Sequence, residues 1–247
     1  MSFPDEAISL HQFLTRDECG AVIRRLDAHT EIAIDRNPRM PGSFVTYGRA
    51  AYLDVCLPES SSDRDYYEAI PKANADLQRV FGELLERLRA RIANLADEPV
   101  EFRPELLALP GIHIFRGPGI RAAGDAGNHF DVQFQKLRLP APADPGTRPI
   151  SFTVLLRGPA HGTGLRVHDV TYEDYVRAFE QGRIASLNEL VARKSHSYWR
   201  YKDGELVLHH GLVVHCLSTP GTPGATDERI TLQGHGIRCQ GRWILYW

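Results

Sequence analysis

The stretch Asn-His-Phe-Asp-Val-Gln-Phe at residues 128–134 sets a histidine and a carboxylate two positions apart. On an extended chain alternate side chains share a face. His129, Asp131, Gln133 and Gln135 would then point one way, and Phe130, Val132 and Phe134 the other. One imidazole and one carboxylate can converge on a cation from such a face. The competing reading is an ordinary strand whose polar face meets water, because 11 histidines make a chance His-x-Asp unsurprising. His215 shifts the balance. It ends the apolar run Gly-Glu-Leu-Val-Leu-His-His-Gly-Leu-Val-Val-His at 204–215, where a buried ring needs partners for its nitrogens. Two histidines and one carboxylate form the facial set that leaves three positions open on non-haem Fe(II). His209 and His210, in the same run, compete with His215 for the second histidine's place. His168 is adjacent to Asp169, so on a strand the two would face opposite ways and form no site.

Arg229, Thr231, Gln233 and His235 share one face of the segment 228–235. The planar fork of an arginine, with a hydroxyl two residues on, suits a carboxylate. The alternative is a solvent-facing arginine on an edge strand. Candidates for touching a substrate are Asn128 and Gln133 beside the metal pair, and Arg116 and Arg121 in the approach to it. Tyr47 is a further candidate, in a polar segment that also holds Arg36, Arg39 and Arg49. Each of these has an equally simple reading as a solvated loop residue.

Positioning such residues requires a scaffold, and the sequence spells one out. Thr15 and Glu18 stand in capping-box spacing ahead of Cys19, Val22, Ile23 and Leu26, which predicts an amphipathic helix. A second helix is expected from about Asp65 to Leu95, with Leu77, Val80, Phe81, Leu84, Leu85, Leu88 and Ile92 as its apolar stripe and Pro71 breaking or offsetting its first turn. From Leu106 onward short apolar runs alternate with Gly/Pro-rich turns and read as strands, residues 128–139 among them. A helical insertion interrupts them at 172–194, announced by Thr171 with Asp174 and by Ser186 with Glu189. Helices first and strands after predict an α+β chain whose functional part is a double-sheet barrel of the jelly-roll or cupin kind.

The 247 residues fit one large domain. A net charge of −2 argues against nucleic acid and anionic membranes as partners. No apolar stretch reaches membrane-spanning length and the first residues carry acids, so a cytoplasmic location is expected. Cys19, Cys56, Cys216 and Cys239 show no CxxC spacing, which argues against thiolate zinc or a disulfide framework.

With these residues in order, the chain resembles the Fe(II)- and 2-oxoglutarate-dependent dioxygenases, nearest in layout to their prolyl-hydroxylase-like branch. The resemblance rests on His-Phe-Asp at 129–131, the run at 204–215 leading to His215, and Arg-Ile-Thr at 229–231. Weaker echoes are Ile-His-Ile-Phe-Arg-Gly-Pro-Gly at 112–119 and Gly-Thr-Gly-Leu-Arg-Val at 162–167. It implies a single domain over 1–247, with 1–98 as mainly helical support and 99–247 as a double-stranded β-helix core carrying the 172–194 insertion. It further implies His129, Asp131 and His215 as ligands of Fe(II). Arg229 would pair with the far carboxylate of 2-oxoglutarate and Thr231 would stand beside it. The family's tyrosine contact to 2-oxoglutarate has no sure counterpart; Phe115 stands near its place, leaving His113 as the substitute. The implied reaction uses O2 to hydroxylate an unactivated C–H bond of a small polar substrate, a free amino acid or a metabolite derived from one, and releases succinate and CO2. Because Asp131 is a carboxylate, hydroxylation, desaturation or cyclisation is expected rather than halogenation. Trp199 and Tyr201 are candidates for a lid. The rival readings are a non-catalytic jelly-roll domain that binds a small ligand, and a cupin-type metalloenzyme that does not use 2-oxoglutarate. The oligomeric state is not legible.

Overall fold

The structure is a computed structural model that describes residues 8–56, 63–120 and 127–247. Twelve strands are placed among these residues: β1 Ile8–Gln12, β2 Ala33–Asp35, β3 Phe44–Tyr47, β4 Val100–Phe102, β5 Gly111–Arg116, β6 Ile150–Arg157, β7 Gly164–Thr171, β8 His196–Arg200, β9 Glu205–His210, β10 Val213–Ser218, β11 Glu228–Cys239 and β12 Arg242–Tyr246. The helices are α1 Arg16–Ala28, α2 Ala51–Asp54, α3 Asp63–Ala96, α4 Tyr172–Glu180 and α5 Leu187–Val191. None of them is long and apolar enough to cross a membrane.

Nine strands form one sheet in the order β1-β9-β6-β11-β5-β3-β2, with β12 pairing β11 and β4. A second sheet runs β10-β7-β8. Pairing is antiparallel throughout except between β12 and β4. The small sheet meets the large one through Leu165, Val167 and Tyr201 against Leu155 and Val207. On the opposite side, α1 and α3 cover the large sheet and close the main core, which includes Leu26, Phe81, Leu88, Ile112, Phe152 and Leu208. The segment 8–47, expected as helical support, also contributes β1, β2 and β3 to that sheet.

Thr15 caps α1 as its spacing requires, accepting from the Glu18 N–H while Glu18 accepts from the Thr15 N–H. Pro71 does not break α3, which runs through it. Its ring lies on the exposed side. Packing of Tyr66 and Ile70 before it, and hydrogen bonds from Asn74 to the Pro104 and Leu107 carbonyls after it, hold the helix on both flanks. Two strand expectations are corrected as well. The run 204–218 is not one strand: it turns at Gly211–Leu212, and its halves, β9 and β10, lie in different sheets. Residues 128–134 are not a strand either; His129 makes one isolated bridge to His215, and 133–136 form a 3-10 turn.

Candidate functional site

Backbone pairing brings the histidines and the aspartate together. His129 and His215 exchange N–H···O bonds of 3.0 and 3.1 Å, and the Asp131 N–H donates to the Gly211 carbonyl at 2.8 Å. The extended piece around His129 thus lies beside the first residues of β10, and its ligand-bearing side chains meet that of His215. One nitrogen or oxygen from each of His129, Asp131 and His215 lies within 4.8 Å of the others. Among the described residues no other group of three His, Cys, Asp or Glu side chains converges in this way.

Local hydrogen bonds orient all three. Nδ1 of His129 faces the Gly127 carbonyl at 3.0 Å, and Nδ1 of His215 faces the Val213 carbonyl at 2.9 Å. A carbonyl only accepts, so both rings carry a proton on Nδ1 and turn Nε2, the nitrogen that could ligate a cation, toward Asp131. Those Nε2 atoms stand 3.9 and 3.2 Å from the Asp131 carboxylate. Asp131 is held in turn by Gln133, whose Nε2 donates to Oδ1 at 3.1 Å, and by the Ser151 hydroxyl, which donates to Oδ2. Ser151 also meets Nδ1 of His235 at 2.9 Å. Such partners fix the direction and charge of metal-ligating groups. Burial works to raise the Asp131 carboxyl, but His215, His235 and His129 around it hold it well below the usual carboxylate range. Burial works to lower His215, and Asp131 lifts it above the usual imidazole value. His209 packs beside His215 with ring centroids 4.3 Å apart. His210 faces elsewhere, its Nδ1 accepting from the Leu212 N–H at 3.1 Å.

Arg229 does not lie on an edge. Its strand, β11, is paired on both sides, by β5 and β6, and the side chain is 4% exposed. Its Nε donates to Thr163 at 3.2 Å and its Nη1 to Thr231 at 3.4 Å, both neutral hydroxyls. Burial pulls its pKa down to about 10, with the Tyr201 and Tyr52 hydroxyls nearby opposing that fall and no carboxylate contributing. An unpaired buried cation is costly, so this guanidinium is suited to receive an anion.

The other expected residues divide. Thr231 is buried beside Arg229. His113 is buried too, but both ring nitrogens are taken: Nδ1 faces the Gln233 amide, and Nε2 faces the Tyr52 hydroxyl at 2.7 Å. Asn128 donates to Asn188 at 3.1 Å, outside the metal group. Tyr47 is not brought to the site; its ring lies in the main core and its hydroxyl donates to the Leu26 carbonyl at 2.8 Å. Arg116 pairs with Glu228 at 2.9 Å and donates to Gly42, away from the metal group. Arg121 lies outside the described residues. Arg36 is committed to Asp54 and Thr46. Tyr201 is 4% exposed in the contact between the sheets, and Trp199 packs against the same cluster. Residues that sequence reasoning missed are Ser151, Thr163 and Tyr52. For Ser151 a signal existed, since Ser151 and Thr153 alternate within an apolar strand; Tyr52, from the four-residue α2, had none.

No family model matches the chain, and no curated protein matches it. Solved structures do. HygX from Streptomyces hygroscopicus, with nickel and 2-oxoglutarate bound, is similar over 94% of this chain and 83% of its own at 13% identity, with a TM-score of 0.51. SnoK, a non-heme alpha ketoglutarate dependent carbocyclase from nogalamycin biosynthesis, is similar over 96% and 84% at 11% identity, with a TM-score of 0.50. An N-substituted L-amino acid dioxygenase from Burkholderia ambifaria AMMD, in complex with alpha-KG, covers 92% and 90% at 12% identity, with a TM-score of 0.44. At these identities the likeness is one of fold: an antiparallel, sheet-rich chain with a few supporting helices.

Proposed function

We propose that this chain is a non-haem Fe(II)- and 2-oxoglutarate-dependent oxygenase, built as one domain over 1–247 around a double-stranded β-helix. The observation that carries the reading is a pair of complementary demands inside one fold. His129, Asp131 and His215 bring two imidazole Nε2 atoms and an ionised carboxylate to a common point, while buried Arg229 has no anionic partner among the described residues. The donor set suits Fe(II), and the likeness in fold to HygX and SnoK supports the same reading.

In this reading His129, Asp131 and His215 hold the metal, and Ser151 and Gln133 keep the Asp131 carboxylate turned toward it. Arg229 takes the far carboxylate of 2-oxoglutarate, with Thr231 and Thr163 fixing the guanidinium plane. His113 serves behind the pocket rather than in it. The Gln233 amide donates to its Nδ1, which leaves the proton on Nε2 facing the Tyr52 oxygen, so the Tyr52 O–H is free to donate to an anion near Arg229. When bound, Fe(II) with 2-oxoglutarate and O2 supplies the oxidising chemistry, coupling attack on a C–H bond to release of succinate and CO2. The substrate in this reading is small and polar, an amino acid or a metabolite derived from one, in keeping with buried polar groups such as Ser151, Thr153 and His209 near the metal group. Asp131 fills the third protein position, which favours hydroxylation, desaturation or cyclisation over halogenation.

The test is anaerobic addition of Fe(II) and 2-oxoglutarate. The expected result is the visible charge-transfer band of the chelate, absent in Asp131→Ala and greatly weakened in Arg229→Met. No band in the wild type sinks the reading, and a band that survives His215→Ala removes His215 as a ligand.

A further inference from the structure

We propose that α4 and α5, the helical insertion, act as the clamp that holds the metal-binding loop 128–131 in its ligating geometry, so that cation binding and docking of the insertion are coupled. This rests on the reading of His129, Asp131 and His215 as metal ligands. The loop belongs to neither sheet. Its only backbone anchors among the described residues are the paired bonds between His129 and His215 and the bond from Asp131 to Gly211. Its side chains that point away from the metal group are spent on the insertion. Asn128 donates to Asn188 of α5 at 3.1 Å. Phe130, between the two ligands, meets Tyr172 edge-on at 5.2 Å and Tyr175 at 5.8 Å. Phe130 also packs, with Leu187 and Leu190, on the cluster formed by Val170, Val191 and Val214.

One turn ties the pieces together. The Gly211 carbonyl takes the Asp131 N–H, and the next carbonyl, that of Leu212, takes the Tyr172 N–H at the start of α4. Thr171 and Asp174 cap that start reciprocally. At five residues α5 is too short to persist by itself, so it owes its place to the apolar contacts just named. A loop steadied by the insertion and an insertion steadied by the loop are two sides of one coupling. A cation that fixes the loop must therefore also fix the helices.

The test uses the full chain and Co(II) alone as the probe, with calorimetric titration and hydrogen exchange as readouts. Co(II) is expected to slow amide exchange several-fold across 172–191. Phe130→Ala is expected to weaken Co(II) binding on the order of tenfold to a hundredfold, with recovery in Phe130→Leu, and Asn188→Ala to weaken it by a smaller factor. Glu180→Ala, on the exposed side of α4, should bind as the wild type does. Exchange in 172–191 that ignores Co(II), or wild-type affinity in a folded Phe130→Ala, overturns the clamp while leaving the metal centre standing. If Phe130→Ala does not fold, exchange in the wild type and Asn188→Ala decide the matter. Wild-type chain that binds no Co(II), or binding undiminished in Asp131→Ala, overturns the metal centre and the clamp with it.

Discussion

Replacing Arg229 by methionine should make the ligand-free protein more stable and blind to 2-oxoglutarate. The guanidinium is 4% exposed, its two hydrogen-bond partners are neutral hydroxyls, and burial moves its pKa from 12.5 to about 10. That fall corresponds to about 3 kcal/mol of unfavourable environment for the charged form. The sign follows from the direction. A base whose folded value lies below its unfolded one opposes folding at every pH below about 10, so at pH 7 the whole penalty is present. Methionine keeps much of the aliphatic stem and removes the charge, at the expense of the bonds to Thr163 and Thr231. A net gain of about 1–2 kcal/mol remains, which for a chain of this size raises Tm by roughly 2–8 °C. In the wild type, 2-oxoglutarate at about a hundred times its Kd should add about 2.7 kcal/mol, and in the variant almost nothing. Calorimetric scans at pH 7, with and without 2-oxoglutarate in the presence of a divalent metal, measure both effects. A variant that melts below the wild type, or that 2-oxoglutarate stabilises equally, refutes the argument that this is an anion site left unpaired by the protein.

Ser151→Ala removes the hydroxyl that links Asp131 to His235, and metal affinity by titration should fall on the order of tenfold or more with the circular dichroism unchanged. His210 is buried, and burial, reinforced by Arg148, pulls it down to about 4, while its Nδ1 must stay unprotonated to accept from Leu212. Its folded value lies below its unfolded one, so stability is complete above about pH 6.5 and is lost as pH falls towards 4, by up to about 3 kcal/mol. In His210→Gln, urea unfolding should lose that slope; an unchanged acid limb would assign it to other groups. Gly111 lies under the Trp247 ring and the Tyr47 carbonyl, where a Cβ cannot fit. Gly111→Ala should therefore cost about 1–3 kcal/mol or more through forced repacking, read as a fall in the urea midpoint.

The parts of this site legible in the sequence were those that depend on strand alternation or on residue type. Arg229 and Thr231 share a face because β11 is a regular strand, and the strand's place between β5 and β6 turns that face inward. His129 and Asp131 were picked by type and spacing, but the strand invoked to align them does not exist. A single bridge to β10 and one bond to Gly211 align them instead. Nothing local marks such a loop, because its partners, Gly211 and His215, lie far along the chain. Separation along the chain also hid Tyr52, which reaches His113 from a different element. Tyr47 failed for the opposite reason: alternation along β3 sends Thr46 towards Arg36 and Tyr47 into the helices, and a polar-looking neighbourhood does not reveal which. The apolar run 204–218 hid a change of sheet because both halves are buried and Gly211 is its only visible break.

Opposite charges without full compensation mark the two ends of this inner face, and they explain each other. At one end Asp131 is ionised among His129, His209 and His235, whose pKa values burial lowers, and it leans on His215 for its positive partner. At the other end Arg229 has hydroxyls and, among the described residues, no anion. A protein selected only for stability would fill both places with apolar groups of the same volume. A divalent cation at Asp131 would displace the proton that Asp131 stabilises on His215, because the ligating form of the ring is the bare one. Proton release should therefore accompany metal binding near neutral pH. Calorimetry in buffers of different ionisation enthalpy should show it in the wild type. Heats independent of buffer in the wild type would mean that the lone pair of His215 is already free, and that Asp131 and His215 are not coupled as their 3.2 Å contact indicates.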